Sequence, residues 1–357
     1  MDQHAGELLI LLRVLSVFLV HLSARLWHHA ASPSIAASSG TRRDRVNEDE
    51  RESARRGLWF AVAAYGAWGL IPLYFKLLVA IAPTEVLAHR VVWSFVFLLG
   101  VMAVVRRWSE LAVVLRNRWA MATLVASTVL IAANWFTFID AVTRGEVLQA
   151  SLGYFITPLA NVLLGLVFLG ERLRPAQWLA VLLAAAGVAN LTLASGHTPW
   201  IALALVTTFS LYGLLRKTVA ADALLGLFVE TAILLPSAIA YLVWLGARGQ
   251  GTAMNTGTAT LAALLLSGVV TAVPLLCFAA GARRLRLATL GLIQYLAPSL
   301  QFLVAVVVFG EPFAATQVVT FACIWIAVVI YTIDSLVGYR QQVAPVAAEV
   351  EASLAEP

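Results

Sequence analysis

Glu85, His89 and Arg90 lie within six residues of one another in TEVLAHRVVWSF, a stretch between two long apolar runs. These residue types bind anions and carry protons. An arginine presents a planar fork of donors that fits a carboxylate. A glutamate or histidine can take up a proton and couple its movement to transport. A full charge at membrane depth costs from about 2.5 to over 10 kcal/mol, depending on the scale, so it needs an acid, a cavity or backbone carbonyls. On a helix, Glu85 and His89 share a face with Trp93, and Arg90 is turned about 100° away. Glu85, through a neighbouring turn, or Glu230 is the acid expected to meet Arg90. Two interpretations compete. In one, Glu85, His89 and Arg90 line a substrate pathway, with Arg90 holding an anionic group and Glu85 or His89 carrying a proton. In the other, the charges form an ion pair that locks helices, and Glu85 is a helix-start acid after Pro83, at the positive end of the dipole.

Other polar and aromatic positions join the candidate pathway. Trp68 is mid-span, on one helical stripe with Tyr65 and Pro72, whereas Lys76 at the end of that span is placed to snorkel. Asn134 lies deep in an apolar run and must bond another helix or a substrate. Tyr154 precedes Pro158, and Tyr295 precedes Pro298. A proline inside a spanning helix frees a carbonyl and bends the axis. Pro158, Pro274 and Pro298 are therefore candidate kinks or gates, with static packing as the alternative. Glu171 and Glu311 each follow a glycine at a span end, where pairing with loop arginines is expected. The motifs G-x-x-x-x-G-K-[ST] and HEXXH are absent, and Cys277 and Cys323 do not space as metal ligands. No catalytic residue, cofactor or metal is expected.

The elements that must position these residues follow from composition. Of 357 residues, 61% are hydrophobic and 12% charged. Soluble domains are nearer about one half and one quarter, and so few charges cannot cover so large a core. The apolar material comes in blocks long enough to cross a bilayer as helices of roughly 20 residues. Ten spans are expected, near 57–79, 83–105, 119–142, 147–169, 175–194, 199–216, 223–246, 258–281, 287–309 and 313–334. The loops between them are short, which makes neighbours antiparallel. If the segment before Gly57 is cytoplasmic, the loops on that side hold Arg106, Arg107, Arg116, Arg118, Arg172, Arg174, Arg216, Lys217, Arg283, Arg284 and Arg286. Arg340 follows the last span there, and the outer loops hold only Arg144 and Arg248. That bias predicts cytoplasmic termini. It also accounts for the +5 net charge without a nucleic-acid partner. The expected partners are the lipid bilayer and a small-molecule substrate; the sequence does not decide between a monomer and a homodimer.

Residues 1–56 combine a short apolar stretch broken by Arg13 with a charged, polar tract. They are expected to be a disordered or interfacial extension, or the product of a start site placed too early. Beyond them the chain repeats. SLGYFITPLANVLLGLVFLGERLRPAQW from Ser151 aligns with LGLIQYLAPSLQFLVAVVVFGEPFAATQV from Leu290, so that Pro158 falls on Pro298, Gly170-Glu171 on Gly310-Glu311, and Gln177 on Gln317. Glu85 matches Glu230 with a small shift. A repeat of five spans, an odd number, must enter the membrane from opposite sides, as in many secondary transporters. The expected organisation is an all-α integral membrane protein with ten transmembrane helices as two inverted five-helix repeats. Residues 57–196 form the first and 197–340 the second, with 341–357 a C-terminal tail.

The stretches AYGAWGLIPLYFKL, EVLAHRVVWSF, NWFTFIDAV, ASLGYFITPLANVLLGLVFLGERL, VPLLCFAAGARRLRLATLG and FGEP carry a family resemblance. Over residues 57–340 the chain resembles the EamA branch of the drug/metabolite transporter superfamily, and within it the RarD-type proteins. The resemblance implies a bacterial inner (plasma) membrane carrier built from two inverted five-helix repeats, and no defined substrate. Asp140 in FID departs from the neutral residue the resemblance implies there. The expected function is that of a secondary transporter, not an enzyme, exporting a small metabolite or drug by alternating access with proton coupling. The rival is a membrane-embedded protein without transport: a lipid-modifying enzyme, or a permeability or signalling component.

Overall fold

The computed structural model describes residues 42–169, 173–196, 198–251, 257–282, 284–285 and 287–355, without the side chains of 42–51, 169, 195, 287–288, 335–336 and 338–355. The expectations for residues 1–41 and for Glu171 lie outside the described residues. The chain divides into two compact units, Met1–Ser53 and Ala54–Pro357. Of the first, residues 42–53 are described, and they are helical. The second holds all the features below.

The described residues contain helices and no strand. In order they are α1 (Arg42–Lys76), α2 (Pro83–Val105), α3 (Trp108–Arg116), α4 (Arg118–Arg144), α5 (Val147–Leu169), α6 (Pro175–Ser195), α7 (Trp200–Thr218), α8 (Ala223–Ala247), α9 (Thr258–Ala282), α10 (Leu287–Ile293), α11 (Leu296–Leu303) and α12 (Ala315–Ala355), with a π-helical turn over Val304–Val308. Local chemistry sets many of the starts and stops. Proline opens α2 and α6, where its missing N–H costs nothing. Asn117 caps α4 through the N–H groups of Trp119 and Ala120, and Gly145 ends it with φ 72°. Gln177 accepts from the Arg174 N–H at the start of α6, and Gln317 accepts from the Ala314 N–H at the start of α12.

Among the described residues nine helical segments are long and apolar enough to cross a bilayer. They match nine of the ten expected spans to within a few residues at most of their ends. The tenth, expected over 199–216, is the helix α7. It falls short in apolar character because it carries Thr207, Thr208, Ser210, Arg216 and Lys217. It packs against both α4 and α5; Ser210 is buried and Thr208 and Arg216 are partly buried there, while Thr207 and Lys217 are exposed. The short α3, absent from the expected spans, lies in the loop after α2 and buries Leu111 and Val114 while exposing Val113.

The ninth span departs from expectation. Over 287–309 the chain is not one helix: α10 stops at Ile293, Gln294 and Tyr295 form a turn, and α11 begins at Leu296. Pro298 is the third residue of α11. There it opens a helix instead of kinking one, since a proline clashes with the carbonyl four residues back. Pro158 and Pro274 do lie inside α5 and α9.

Contacts at the loops fix the two ends of the bundle. Arg107 reaches Asp222, and Gly57 meets Arg284, at one end. At the other, Thr84 bonds Tyr241 at 2.8 Å, and Lys76 sits over the Phe309 ring. Between the ends, helices meet at backbone range. A Cβ on Gly153 would lie 2.7 Å from the carbonyl oxygen of Ala202, and one on Gly268 would overlap the carbonyl of Trp93. These glycines let α5 approach α7 and α9 approach α2. Gly153→Ala and Gly268→Ala should each lower the melting temperature of the purified protein, since overpacking typically costs about 1–3 kcal/mol. Gly100→Ala, in α2 with nothing within 4 Å of its Cβ position, should not.

Candidate functional site

Arg90 is 6% exposed and sits two turns into α2. Its Nε donates to Thr271 Oγ1 of α9 at 2.9 Å. The Thr271 hydroxyl in turn donates to the Ser267 carbonyl at 2.8 Å, which leaves its lone pairs facing the guanidinium. The guanidinium carbon lies 4.3 Å from the centroid of the Trp135 ring of α4 and 5.4 Å from that of Phe75 of α1. The hydroxyls of Tyr74 and Tyr154 lie within electrostatic range. Among the described residues no carboxylate pairs with Arg90. Four spanning helices therefore converge on one cation through aromatic faces and a hydroxyl.

Neither acid expected beside Arg90 is paired with it. Glu85, 2% exposed in the first turn of α2, lies beside His89, which is half-buried on the same face, and near Gly251 of the loop after α8. Glu230 belongs to another cluster. Fully buried in α8, it accepts from Ser127 Oγ of α4 at 2.6 Å and from the Tyr212 hydroxyl of α7 at 3.3 Å. Its charged neighbour is Arg216, with Nε 4.0 Å from Oε1. The expectation that Glu230 serves Arg90 is thus corrected: eight residues of α4, about 12 Å of helix axis, separate Trp135 from Ser127. The sequence assigns Arg216 to a loop. The apolar residues before it and Lys217 after it gave no sign that its side chain turns back into the bundle.

Asn134 bonds two neighbouring helices. Its Nδ2 donates to the Leu205 carbonyl at 3.2 Å and to Thr208 Oγ1 at 3.0 Å on α7, and its Oδ1 accepts from the Tyr154 hydroxyl at 3.2 Å. The Tyr154 ring meets Phe138 and Phe209 edge-on or tilted. Trp68 packs on Tyr65 and Phe278, and its carbonyl accepts from Gln301 Nε2 of α11 at 3.1 Å. Tyr295 stacks on Phe155 at the break before α11. Arg90, Trp135 and Asn134 with Tyr154 thus gather around α4, while Trp68 and Tyr295 lie with α11, and Glu230 lies apart from both groups.

The loop acids do structural work. Glu311 does not pair with a loop arginine: its two oxygens accept the N–H groups of Val147 and Leu148, each at 2.8 Å, and so cap α5. Burial pushes its carboxyl above the ordinary range, against the pull of those donors and Lys76. Asp140 pairs with Arg144 one turn on, at 2.7 Å. Arg107 joins Glu110 to Asp222, the cap of α8.

Asn134→Leu should lower the melting temperature more than Tyr154→Phe, because it removes bonds to α7 as well as one within the first half. Interhelical bonds in membranes average about 0.6 kcal/mol each, with about 1.7 the largest found. Glu311→Ala should cost about 1 kcal/mol as a lost helix cap, and Glu311→Gln less. Thermal unfolding in detergent reads both.

Comparison with known proteins agrees with this architecture. Residues 55–193 match the EamA-like transporter family. An uncharacterized transporter of Vibrio cholerae is 47% identical over 80% of this chain and 95% of its own length. Protein RarD of Escherichia coli is 45% identical over 82% of this chain and 99% of its own. The chloramphenicol-sensitive protein RarD of Pseudomonas aeruginosa is 35% identical over 80% and 97%. A crystal structure at 22% identity covers 78% of this chain and 96% of that one with a TM-score of 0.52, a likeness of fold. With this identity extending over nearly the whole of each relative, the chain belongs to the RarD-type branch of the EamA-like transporters, a bacterial family of multi-pass membrane proteins within the drug/metabolite transporter superfamily.

Proposed function

We propose that the chain is a secondary carrier that exports a small anionic metabolite or drug across the bacterial inner membrane, with Arg90 as the anchor for the anionic group. The observation that carries this reading is the state of Arg90: a buried guanidinium at membrane depth, held by one hydroxyl and two aromatic faces and, among the described residues, by no carboxylate. A desolvated cation–π contact is worth about 2 kcal/mol. Two such contacts offset only part of a burial cost that rises above about 10 kcal/mol on the less forgiving scales. An anionic ligand supplies the rest, and the rings supply an apolar, π-rich wall for its body. Trp68, Asn134, Tyr154 and Tyr295 complete the proposed pathway, and Glu85 with His89 is the proposed proton carrier at its mouth.

Alternating access between two inverted halves is supported by the packing. Helix α5 packs on α7 as α11 does on α1; α4 packs on α7 as α9 does on α1; and α2 packs on α9 as α8 does on α4. The pairs α6 with α12, α2 with α8 and α5 with α11 join equivalent helices. Gln177 and Gln317 make the same cap in both copies. A broken ninth span supports the transporter reading as well, since discontinuous helices commonly form carrier sites. The arginine bias of the loops supports cytoplasmic termini.

The test is an untargeted comparison of extracellular small molecules from a host lacking its own RarD-type gene and carrying wild type, Arg90→Gln or Arg90→Lys at equal abundance. A compound enriched outside only with wild type is expected, reduced at least about tenfold by Arg90→Gln and less by Arg90→Lys, because a transition costing 1.4 kcal/mol is tenfold. No enriched compound sinks the export reading; full activity in Arg90→Gln makes Arg90 a packing residue. Glu85→Gln should still exchange substrate but ignore a pH gradient. An unchanged gradient response removes Glu85 from coupling.

A further inference from the structure

Arg216 and Glu230 face each other inside the bundle without closing into a hydrogen-bonded ion pair. An arginine and a carboxylate that pair for stability usually meet as a fork, two parallel hydrogen bonds at about 2.7–2.9 Å. Here the nearest approach, Arg216 Nε to Glu230 Oε1, is 4.0 Å. The carboxylate is held off by Ser127 on Oε1 and Tyr212 on Oε2. On the guanidinium side, Nη2 donates to the Asp222 carbonyl at 2.8 Å, the Tyr212 hydroxyl lies beside the guanidinium, and Nη1 is buried without a hydrogen-bond partner among the described residues. An unsatisfied buried donor on a charged group is costly and calls for an explanation. Glycine at 226 makes the arrangement possible: any Cβ there would collide with the guanidinium.

From this geometry we infer that Arg216 is a second anion site on the route, at which the Glu230 carboxylate and the anionic group of the substrate are alternatives. Arg216 stands near the arginine-rich end, about 12 Å along α4 from the Arg90 site by the spacing of Ser127 and Trp135. When Glu230 takes up a proton it can stay with Ser127 and Tyr212 as a neutral acid. Arg216 then offers its open Nη1 and its Nε to a carboxylate. One proton enters and none leaves, so anion binding at Arg216 consumes a proton. The groups facing Glu230 are Ser127 from α4, and Tyr212 and Arg216 from α7. Helix α2 brings the apolar Leu98 and Met102 to the adjoining cluster. Asp222 and its partner Arg107 lie beyond Arg216. The inference rests on the reading that the substrate carries an anionic group.

The experiment is equilibrium binding of radiolabelled benzoate, an aromatic carboxylate, to the purified full chain in detergent at pH 7.5 and about one unit lower. Label that excess unlabelled benzoate does not displace gives the background. In the Arg90→Gln protein, benzoate binding should tighten by up to about tenfold per unit fall in pH, the slope of one proton taken up. Adding Glu230→Gln should make binding at pH 7.5 as tight as at the lower pH and remove the slope. Adding Arg216→Gln should abolish it, and Arg216→Lys should keep part of it. Binding in Arg90→Gln that is absent, independent of pH, or unaffected by Glu230→Gln overturns the inference. If Arg216→Gln does not fold, the Glu230→Gln arm decides. Loss of binding at Arg90 alone, measured in the Arg216→Gln background, would instead count against the anchor role of Arg90.

Discussion

Inside a bilayer no water is available to satisfy a polar group, so each one must be satisfied by the chain itself. Much of the architecture can be derived from that constraint. It explains why Asn134 spends its side chain on α7 and Tyr154, why the hydroxyls of Thr128, Thr208, Thr231 and Thr271 turn back onto carbonyls of their own helices, and why the Glu311 carboxylate is spent on the first turn of α5. Each is a local solution, and together they determine which helices must touch.

The two buried arginines are contrasting answers to the same constraint. Arg90 is surrounded by π faces, which attract a cation but fill few of its hydrogen-bonding positions. Arg216 has an acid in view, but that acid is claimed first by a serine and a tyrosine. In both places the protein leaves donor capacity open where a purely structural ion pair would close it. Arg90 lies against α4 through Trp135, and Arg216 is linked to α4 through Glu230 and Ser127; α4 contacts α2, α7 and α8. This one helix connects the two charge centres while Asn134, between them in sequence, ties it to α7.

Much of the fold was legible because a spanning helix leaves a length and composition signature that loops cannot imitate. Val147–Leu169 and the start of α2 at Pro83 fall where the apolar blocks and Pro83 put them. The burial of Glu85, Arg90, Asn134 and Glu230 was legible for the same reason, since a polar residue in such a block needs partners or a cavity. Their partners were not. Partnership is a matter of helix rotation and tilt, which short apolar repeats barely constrain, so the sequence offers both Glu85 and Glu230 to Arg90, and Glu230 faces Arg216 instead. The broken ninth span was hidden by its likeness to α5: Pro158 and Pro298 look equivalent, yet one helix continues through its proline and the other begins at it. The π-helical turn after α11 had no sequence signal at all.

The modest apolarity of α7 bears on how the protein is made. A helix that carries Arg216 and Lys217 in its last turn and two threonines and a serine in its middle gains less by entering lipid alone than the nine more apolar spans do. Its stability comes from the surfaces of α4 and α5, which flank it. Those helices precede it in the chain and leave the ribosome first. The membrane insertion of α7 can therefore be templated by helices already in place, and a truncation or reordering that delayed α4 or α5 would strand it at the membrane surface.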